Sequence, residues 1–290
     1  MKRQTFLVLC AMAAMGCESG KKADLPGSAQ SALPKKAPPP TPSRTASFKS
    51  GDAVFLKGTL YLAEDPAAPL LVFVHRMGAD RREWAPLAER LRRGERRYTM
   101  VNFDLSRHGE SNAALDPRKV DGGEQANNWV RDIRSAIGFG MEATGKKARA
   151  VVLAGSSLGA ALITQVALDE PKVVAMALVS PGGAIQGYSI YRRFAAVRAL
   201  PSFLAASESD TVTADAFGVL CRMAGEAATS KLYPGNAHGA ENLARAGPAL
   251  WNDLEPWLMR VYDAPPRPRH LLDPEPAPRA AKGHRPTVGR

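Results

Sequence analysis

The sequence predicts an α/β domain in which a mostly parallel sheet carries helices on both faces. Two observations support this prediction. Several continuous apolar runs are typical of strands buried on both faces, and the segments between them place apolar residues at helical spacing. Strands that alternate with helices build a mostly parallel sheet. Ligands of such sheets bind at the carboxyl ends of the strands, so the loops that follow the strands are the expected place for a functional site.

The predicted strands are short and mostly apolar. Residues 70–74 and 150–154 are unbroken apolar runs, and residues 54–62 ahead of them are expected to form an antiparallel edge. The strands are expected at residues 54–62, 70–74, 98–103, 150–154, 173–179, 203–206 and 230–233.

The predicted helices are identified by spacing. Trp84, Leu87, Ala88 and Leu91 recur at positions i, i+3, i+4 and i+7, which places them on one face of a helix. The same reasoning predicts helices around residues 84–91, 129–137, 158–168, 189–200 and 250–261.

The charge of the chain lies at its two ends. The 290 residues carry a formal net charge of +11, of which residues 1–48 contribute +5 and residues 264–290 contribute +4. A nucleic-acid-binding module carries its basic residues on the folded surface, so no nucleic-acid partner is expected. Proline is also concentrated at the ends, with six in the first segment and seven in the last. We therefore predict one folded domain over residues 49–263, followed by a disordered tail rich in proline and arginine.

The N-terminus is typical of an exported protein. Lys2 and Arg3 precede an apolar run at residues 6–16, which is too short for a membrane span of about 20 residues. A short apolar run after positive charges predicts a signal peptide over residues 1–16. Residues 17–48, rich in proline, lysine and serine, are expected to form a semi-extended linker.

The four residues Ala14-Met15-Gly16-Cys17 resemble the cleavage box of bacterial lipoproteins. The resemblance implies that Cys17 is diacylated and becomes the new N-terminus, and that Glu18 directs the protein to the outer membrane, facing the periplasm or the cell surface. The membrane is then a partner through the lipid on Cys17, since two acyl chains form a stable anchor. The alternative is an ordinary signal-peptidase cut after Gly16, which leaves a free N-terminal cysteine.

A candidate nucleophile follows the strand at residues 150–154. Residues 155–159 read Gly-Ser-Ser-Leu-Gly, which is the pattern G-x-S-x-G between a predicted strand and a predicted helix. In that context a sharp turn exposes the middle serine, Ser157, above the sheet. The N-terminus of the following helix favours a developing negative charge nearby.

A serine hydroxyl needs a base, and the base needs an acid that orients it. The expected order along the chain is serine, acid, histidine. His238 is the candidate base because it is the histidine that follows Ser157 within the predicted domain. Between them the candidate acids are Glu208, Asp210, Asp215 and Glu226. Asp210 is preferred because it lies just past a predicted strand, and Glu208 is the next choice.

An oxyanion hole requires two backbone N–H groups. One is expected from Leu158, directly after the candidate nucleophile. The second is expected from the loop after the strand at residues 70–74, where Arg76 is preferred and Met77 is the alternative.

Taken together these residues resemble the α/β-hydrolase superfamily of serine esterases and lipases, over about residues 70–262. Two further motifs support the resemblance: His75 to Gly78 with Trp84 downstream, and residues 104–111, which read Asp-Leu-Ser-Arg-His-Gly-Glu-Ser. Arg76 departs from the pattern, since the family often has glycine after the histidine. The resemblance implies an eight-stranded sheet and ester hydrolysis through an acyl-enzyme.

The family often carries a cap domain after the sixth strand, but here only residues 182–200 are available, so no cap domain is expected. The resemblance implies a Ser157-Asp210-His238 triad acting on small-molecule carboxylic esters or thioesters, as in small esterases and dienelactone-hydrolase-like enzymes. No cofactor and no metal ligand is expected. Two alternatives remain: an idle hydrolase scaffold that binds an envelope ligand or partner, and an acyltransferase that uses the same triad.

Overall fold

The computed structural model of the protein describes residues 39–51, 54–94, 98–111, 122–185 and 188–263. The predicted signal peptide, Cys17 and the C-terminal tail lie outside the described residues, as does most of the predicted linker. Among the described residues, no helix has the length and apolar character that crossing a bilayer requires.

The central sheet has eight strands in the order β1-β2-β4-β3-β5-β6-β9-β10. β1 pairs antiparallel with β2, and β2 pairs antiparallel with β4, whereas the other pairs are parallel. A two-stranded hairpin, β7–β8, lies outside this sheet. The strands are β1 Ser43–Ser50, β2 Val54–Tyr61, β3 Leu70–Val74, β4 Thr99–Phe103, β5 Val151–Ser156, β6 Val173–Val179, β7 Ala184–Ile185, β8 Tyr188–Ser189, β9 Ser202–Ser207 and β10 Ala228–Tyr233.

Helices cover both faces of the sheet. They are α1 Ala85–Leu91, α2 Gly122–Ala143, α3 Leu158–Asp169, α4 Ile190–Val197, α5 Ala214–Ala224, α6 Ala240–Ala246 and α7 Ala249–Tyr262. One apolar cluster joins α2, α3, α4 and α5 to one face, and a second joins α1, α6 and α7 to the other. Successive residues of β3 alternate between them: Val72 and Val74 belong to the first cluster, Leu71 and Phe73 to the second. The predicted mostly parallel, two-sided α/β architecture is confirmed.

The folded part begins earlier than predicted. Residues 43–50, assigned mostly to the linker, form β1 and pair with β2 along their whole length. The sequence did not indicate this strand because most of its side chains are polar and exposed, with Phe48 and Ser50 turned inward. The strand is defined by its backbone pairing with β2, and Phe48 alone carries it into the first apolar cluster.

Two further elements depart from the prediction. α5, which lies between β9 and β10, was not predicted, and α6 precedes the predicted final helix. Between β6 and β9 the described residues form the hairpin β7–β8 and the single helix α4, and no cap domain is evident among them, as expected.

Candidate active site

Ser157 occupies the turn between β5 and α3, with a backbone φ of 49° and ψ of −106°. Residues other than glycine rarely adopt a positive φ, and such strain concentrates at functional sites. The turn is held by the Ser157 N–H, which donates to the carbonyl of Val179 at the end of β6 at 2.8 Å. Most of the residue is buried, since Ser157 is 6% exposed.

The turn is tight because two glycines let backbone segments approach one another. A Cβ added to Gly155 would lie 2.4 Å from the carbonyl carbon of Gly159. A Cβ added to Gly159 would lie 2.3 Å from the carbonyl oxygen of Val74. Neither position has room for a side chain, so steric exclusion explains why both positions of the G-x-S-x-G pattern are glycine.

His238 lies in the loop after β10 and contacts both other candidate residues. Its Nε2 is 2.8 Å from Ser157 Oγ, across 81 positions of sequence. Its Nδ1 is 2.8 Å from Asp210 Oδ2. With Nδ1–H donating to the carboxylate, Nε2 carries a lone pair that can accept a hydrogen bond from the Ser157 hydroxyl.

Asp210 lies just past β9 and is 3% exposed. Its second oxygen accepts the backbone N–H of Val212 at 3.2 Å, which fixes the carboxylate in the turn. Glu208, the alternative acid, has an exposed side chain, and its backbone N–H donates to the carbonyl of Tyr233. The structure therefore brings Asp210, rather than Glu208, to the imidazole.

Hydrogen bonds on both sides of His238 hold its loop. Ser207 Oγ donates to the carbonyl of Ala237 at 2.8 Å, and the Gly239 N–H donates to Ser180 Oγ at 2.9 Å. Asn242 Nδ2 donates to the carbonyl of His238 itself at 2.8 Å. The imidazole is thus presented by a loop whose backbone is bonded at three consecutive residues.

The expectation that Arg76 supplies an oxyanion donor is wrong. Its backbone N–H donates to Glu83 Oε2 at 2.8 Å and is therefore already used. Among the described residues, the backbone N–H groups of Met77 and Leu158 have no hydrogen-bond acceptor. Leu158 is the first residue of α3, where such a free N–H is normal. The backbone N–H of Met77, the alternative, is therefore free where that of Arg76 is not.

The Arg76 side chain pairs with acidic residues. Its Nε lies 3.6 Å from Glu83 Oε1, and its guanidinium is 4.0 Å from Glu241. Gly239 passes directly beside it, since a Cβ there would lie 2.6 Å from Arg76 Cδ.

Most of the chain matches a known protein family. A sequence profile of the Alpha/beta hydrolase family matches residues 71–288, well over half of the chain. The chain belongs to the alpha/beta hydrolase family. No sequence among the curated proteins matches it significantly.

Solved structures share the fold at low sequence identity. The Pyrococcus furiosus esterase Pf2001 is 14% identical with a TM-score of 0.58, covering 76% of this chain and 93% of the esterase. The Butyrivibrio proteoclasticus protein Est1E, solved with ferulic acid, is 13% identical with a TM-score of 0.58, covering 74% and 99%. The peroxisomal alpha-beta-hydrolase Lpx1 of Saccharomyces cerevisiae is 10% identical with a TM-score of 0.57, covering 76% and 90%.

In this alpha/beta hydrolase the two histidines that precede Ser157 are structural. His75 is fully buried, its Nδ1–H donates to the carbonyl of Arg76 at 2.7 Å, and its Nε2 accepts the N–H of Leu105 at 3.0 Å. Burial, reinforced by the neighbouring ring of His108, lowers the pKa of His75 to about 3. Burial also lowers the pKa of His108. Both rings are therefore neutral at ordinary pH.

Sequence reasoning missed Glu83. This residue precedes Trp84, and nothing in the local pattern distinguishes it from a solvated loop charge. In the structure it is 1% exposed and is bonded to several loops of the site.

Among the described residues, no group of three or more His, Cys, Asp or Glu side chains is arranged to hold a metal ion.

Proposed function

We propose that the protein is a serine hydrolase that cleaves carboxylic esters or thioesters through an acyl-enzyme. The observation that carries the proposal is the chain of hydrogen bonds from Asp210 through His238 to Ser157, both of 2.8 Å. These distances lie within the range that proton transfer between a nucleophile and its base requires.

The first half-reaction forms the acyl-enzyme. Ser157 Oγ attacks the carbonyl carbon of the ester while His238 Nε2 takes the hydroxyl proton. The negative charge that develops on the carbonyl oxygen is stabilised by the N–H groups of Leu158 and Met77. Asp210 stabilises the imidazolium. His238 then gives its proton to the departing alcohol or thiol, and the acyl group remains on Ser157.

The second half-reaction releases the acid. His238 removes a proton from a water molecule, and the resulting hydroxide attacks the acyl carbonyl over the same two N–H groups. Collapse of the tetrahedral intermediate returns the proton from His238 to Ser157 Oγ and frees the carboxylic acid. No cap domain is evident among the described residues between β6 and β9, which supports a site that an ester substrate can reach.

The proposal is tested with a fluorophosphonate probe, which forms a covalent bond with an activated serine. The wild-type chain is expected to be labelled and Ser157→Ala is not. In parallel, p-nitrophenyl esters of increasing acyl length should be hydrolysed by the wild type. Equal labelling of both proteins would remove Ser157 from the reaction. Labelling of the wild type without hydrolysis of any ester would favour acyl transfer to another acceptor, and neither labelling nor hydrolysis would favour a binding scaffold.

We also propose that the protein is exported and anchored by diacylation of Cys17, in the bacterial outer membrane. The proposal rests on residues 14–17 and on the apolar run before them. Full-length protein expressed in a bacterium is expected to incorporate labelled palmitate and to partition into detergent. Cys17→Ala should do neither, and partition of that variant into the aqueous phase with unchanged export would be the signature of a lipid anchor. Lack of label on the wild type would contradict the anchor.

A further inference from the structure

Glu83 brings together three segments of the site by hydrogen bonds to a single buried carboxylate. Its Oε2 accepts the backbone N–H of Arg76 at 2.8 Å. Its Oε1 accepts the hydroxyl of Ser156 at 2.8 Å and the backbone N–H of Ala240 at 3.0 Å. The Ala240 N–H also lies 3.0 Å from Ser156 Oγ, which closes a triangle of polar contacts. Three donors therefore converge on two carboxylate oxygens.

Each donor neighbours a group of the proposed reaction. Arg76 directly precedes Met77, whose N–H is an oxyanion donor in the proposal. Ser156 directly precedes the nucleophile, and Ala240 follows His238 by two residues. A shift of Glu83 would therefore move the oxyanion loop, the nucleophile turn and the histidine loop relative to one another.

A buried carboxylate needs a counter-charge, because burial without one is costly. The Arg76 guanidinium supplies it at 3.6 Å. The missing side chain of Gly239 leaves room for this arginine. Burial raises the pKa of Glu83, while the Arg76 N–H, the Ser156 hydroxyl and the Arg76 charge act in the opposite direction. The arginine that departs from the family pattern is thus matched by a buried acid seven residues later.

We infer that Glu83, with Arg76 as its counter-ion, is a positioning residue that fixes the Met77 N–H and the His238 loop relative to Ser157. This inference rests on the proposed function. Glu83 does not contact the reacting atoms and acts through the backbone of its neighbours. Because Glu83 positions the reacting groups and does not bind the substrate, loss of its carboxylate should lower kcat more than it changes KM.

The test compares Glu83→Gln with a matched control, Asp132→Asn, in the full chain. Asp132 is also a buried carboxylate, 1% exposed, which accepts the Ser50 hydroxyl and the Ser106 N–H. A glutamine at position 83 keeps one acceptor oxygen and places an NH₂ group against at least one of the three donors. Active sites are counted by fluorophosphonate titration, and turnover of p-nitrophenyl acetate is expressed per titrated site.

Glu83→Gln is expected to lower kcat about 10- to 100-fold, since small misplacements and impaired oxyanion donors each cost up to about 100-fold. KM should change less than about threefold if the loss is confined to the transition state. Asp132→Asn should lower the melting temperature but keep kcat per titrated site within about twofold, as expected for a change away from the reacting groups. A Glu83→Gln protein that turns over at the wild-type rate per site, whatever its melting temperature, would overturn the inference.

Ser156→Ala keeps the test decisive if Glu83→Gln does not fold. This change removes one donor to Glu83 and one acceptor of the Ala240 N–H, and leaves a side chain that fits. It should lower kcat about three- to tenfold with little change in KM, because one of several bonds in the network is lost. Wild-type kcat in Ser156→Ala would overturn the inference when Glu83→Gln is unfolded. Where both fold, the double variant should be no slower than Glu83→Gln, since the two act in one network.

The two proposals fail in different ways. If wild-type protein neither reacts with the phosphonate nor hydrolyses any ester, the proposed function fails before any variant is measured. If the wild type is active and Glu83→Gln is equally active per site, only the positioning role is lost.

Discussion

Gly155 and Gly159 pack backbone against backbone beneath Ser157, so that a Cβ on the first would lie 2.4 Å from the carbonyl carbon of the second. This contact lets α3 start directly at the end of β5. The turn at Ser157 therefore depends on the absence of side chains at these two glycines. The same contact leaves no room for even the methyl group of alanine at either glycine.

Gly159→Ala is expected to lower the free energy of unfolding by more than about 3 kcal/mol, because overpacking against backbone cannot be relieved by a side-chain rotation. Urea unfolding at equilibrium measures the effect. The matched control is Gly138→Ala within α2, where an added Cβ meets nothing within 4 Å. That change should raise stability by about 0.5–1 kcal/mol through helix propensity. Equal effects at the two positions would contradict the steric account.

Asp210→Asn should lower kcat about 10³- to 10⁴-fold, by analogy with the same change in other triads, because an amide no longer selects the tautomer in which Nε2 accepts a proton. Glu208→Gln is the matched control, two residues away and exposed. It should change kcat less than about twofold, as is usual for surface substitutions. Steady-state kinetics on one ester separates the two, and a large loss in Glu208→Gln alone would reverse the assignment.

Ser157→Gly is expected to be more stable than Ser157→Ala by about 1 kcal/mol. Both variants lack the hydroxyl, but only glycine adopts a φ of 49° without strain, which otherwise costs about 1–3 kcal/mol. Thermal unfolding of the two inactive proteins under the same conditions measures the difference. A lower melting temperature for Ser157→Gly would mean that the turn is not strained.

His75 makes the fold sensitive to acid. Its pKa is 6.5 when unfolded and about 3 in the native state, so below pH 6.5 the unfolded chain binds a proton that the native chain does not. Stability is therefore lost as the pH falls from about 6.5 towards about 3, by up to about 1.4 kcal/mol per pH unit. His75→Gln offers one donor and one acceptor to the same partners. It should remove the contribution of His75 to the pH dependence of the free energy of unfolding. Denaturant unfolding at several pH values measures it, and an unchanged slope would contradict the buried neutral state.

Most of the elements from β2 to β10, and the positions of Ser157, Asp210 and His238 relative to them, could be read from local patterns. Parallel strands bring their carboxyl ends to one edge, so residues far apart in sequence that follow those strands were expected together. In the structure His238 bonds both Ser157 and Asp210. Spacing and residue type carried this information because a buried strand and a sharp turn each impose a strict local requirement.

The features that sequence did not indicate depend on tertiary contacts. β1 is polar and is defined by its pairing with β2. Arg76 does not offer a free oxyanion donor because its backbone N–H donates to the carboxylate of Glu83, seven residues later. Nothing in a single sequence distinguishes an acid that is buried among three loops from one that faces water, since the difference is made entirely by which segments the fold brings around it.

His238 is carried by the loop that leaves β10, the outermost strand at one end of the sheet. This strand is bonded along one side to β9, and its Leu232 is 52% exposed. Ser157 and Asp210, in contrast, follow β5 and β9, each of which pairs with a strand on both sides. Peripheral strands open at a lower free-energy cost than central ones. If His238 is the base of the proposed reaction, we expect ester hydrolysis to be lost on warming before the central strands unfold, because this edge strand carries the His238 loop.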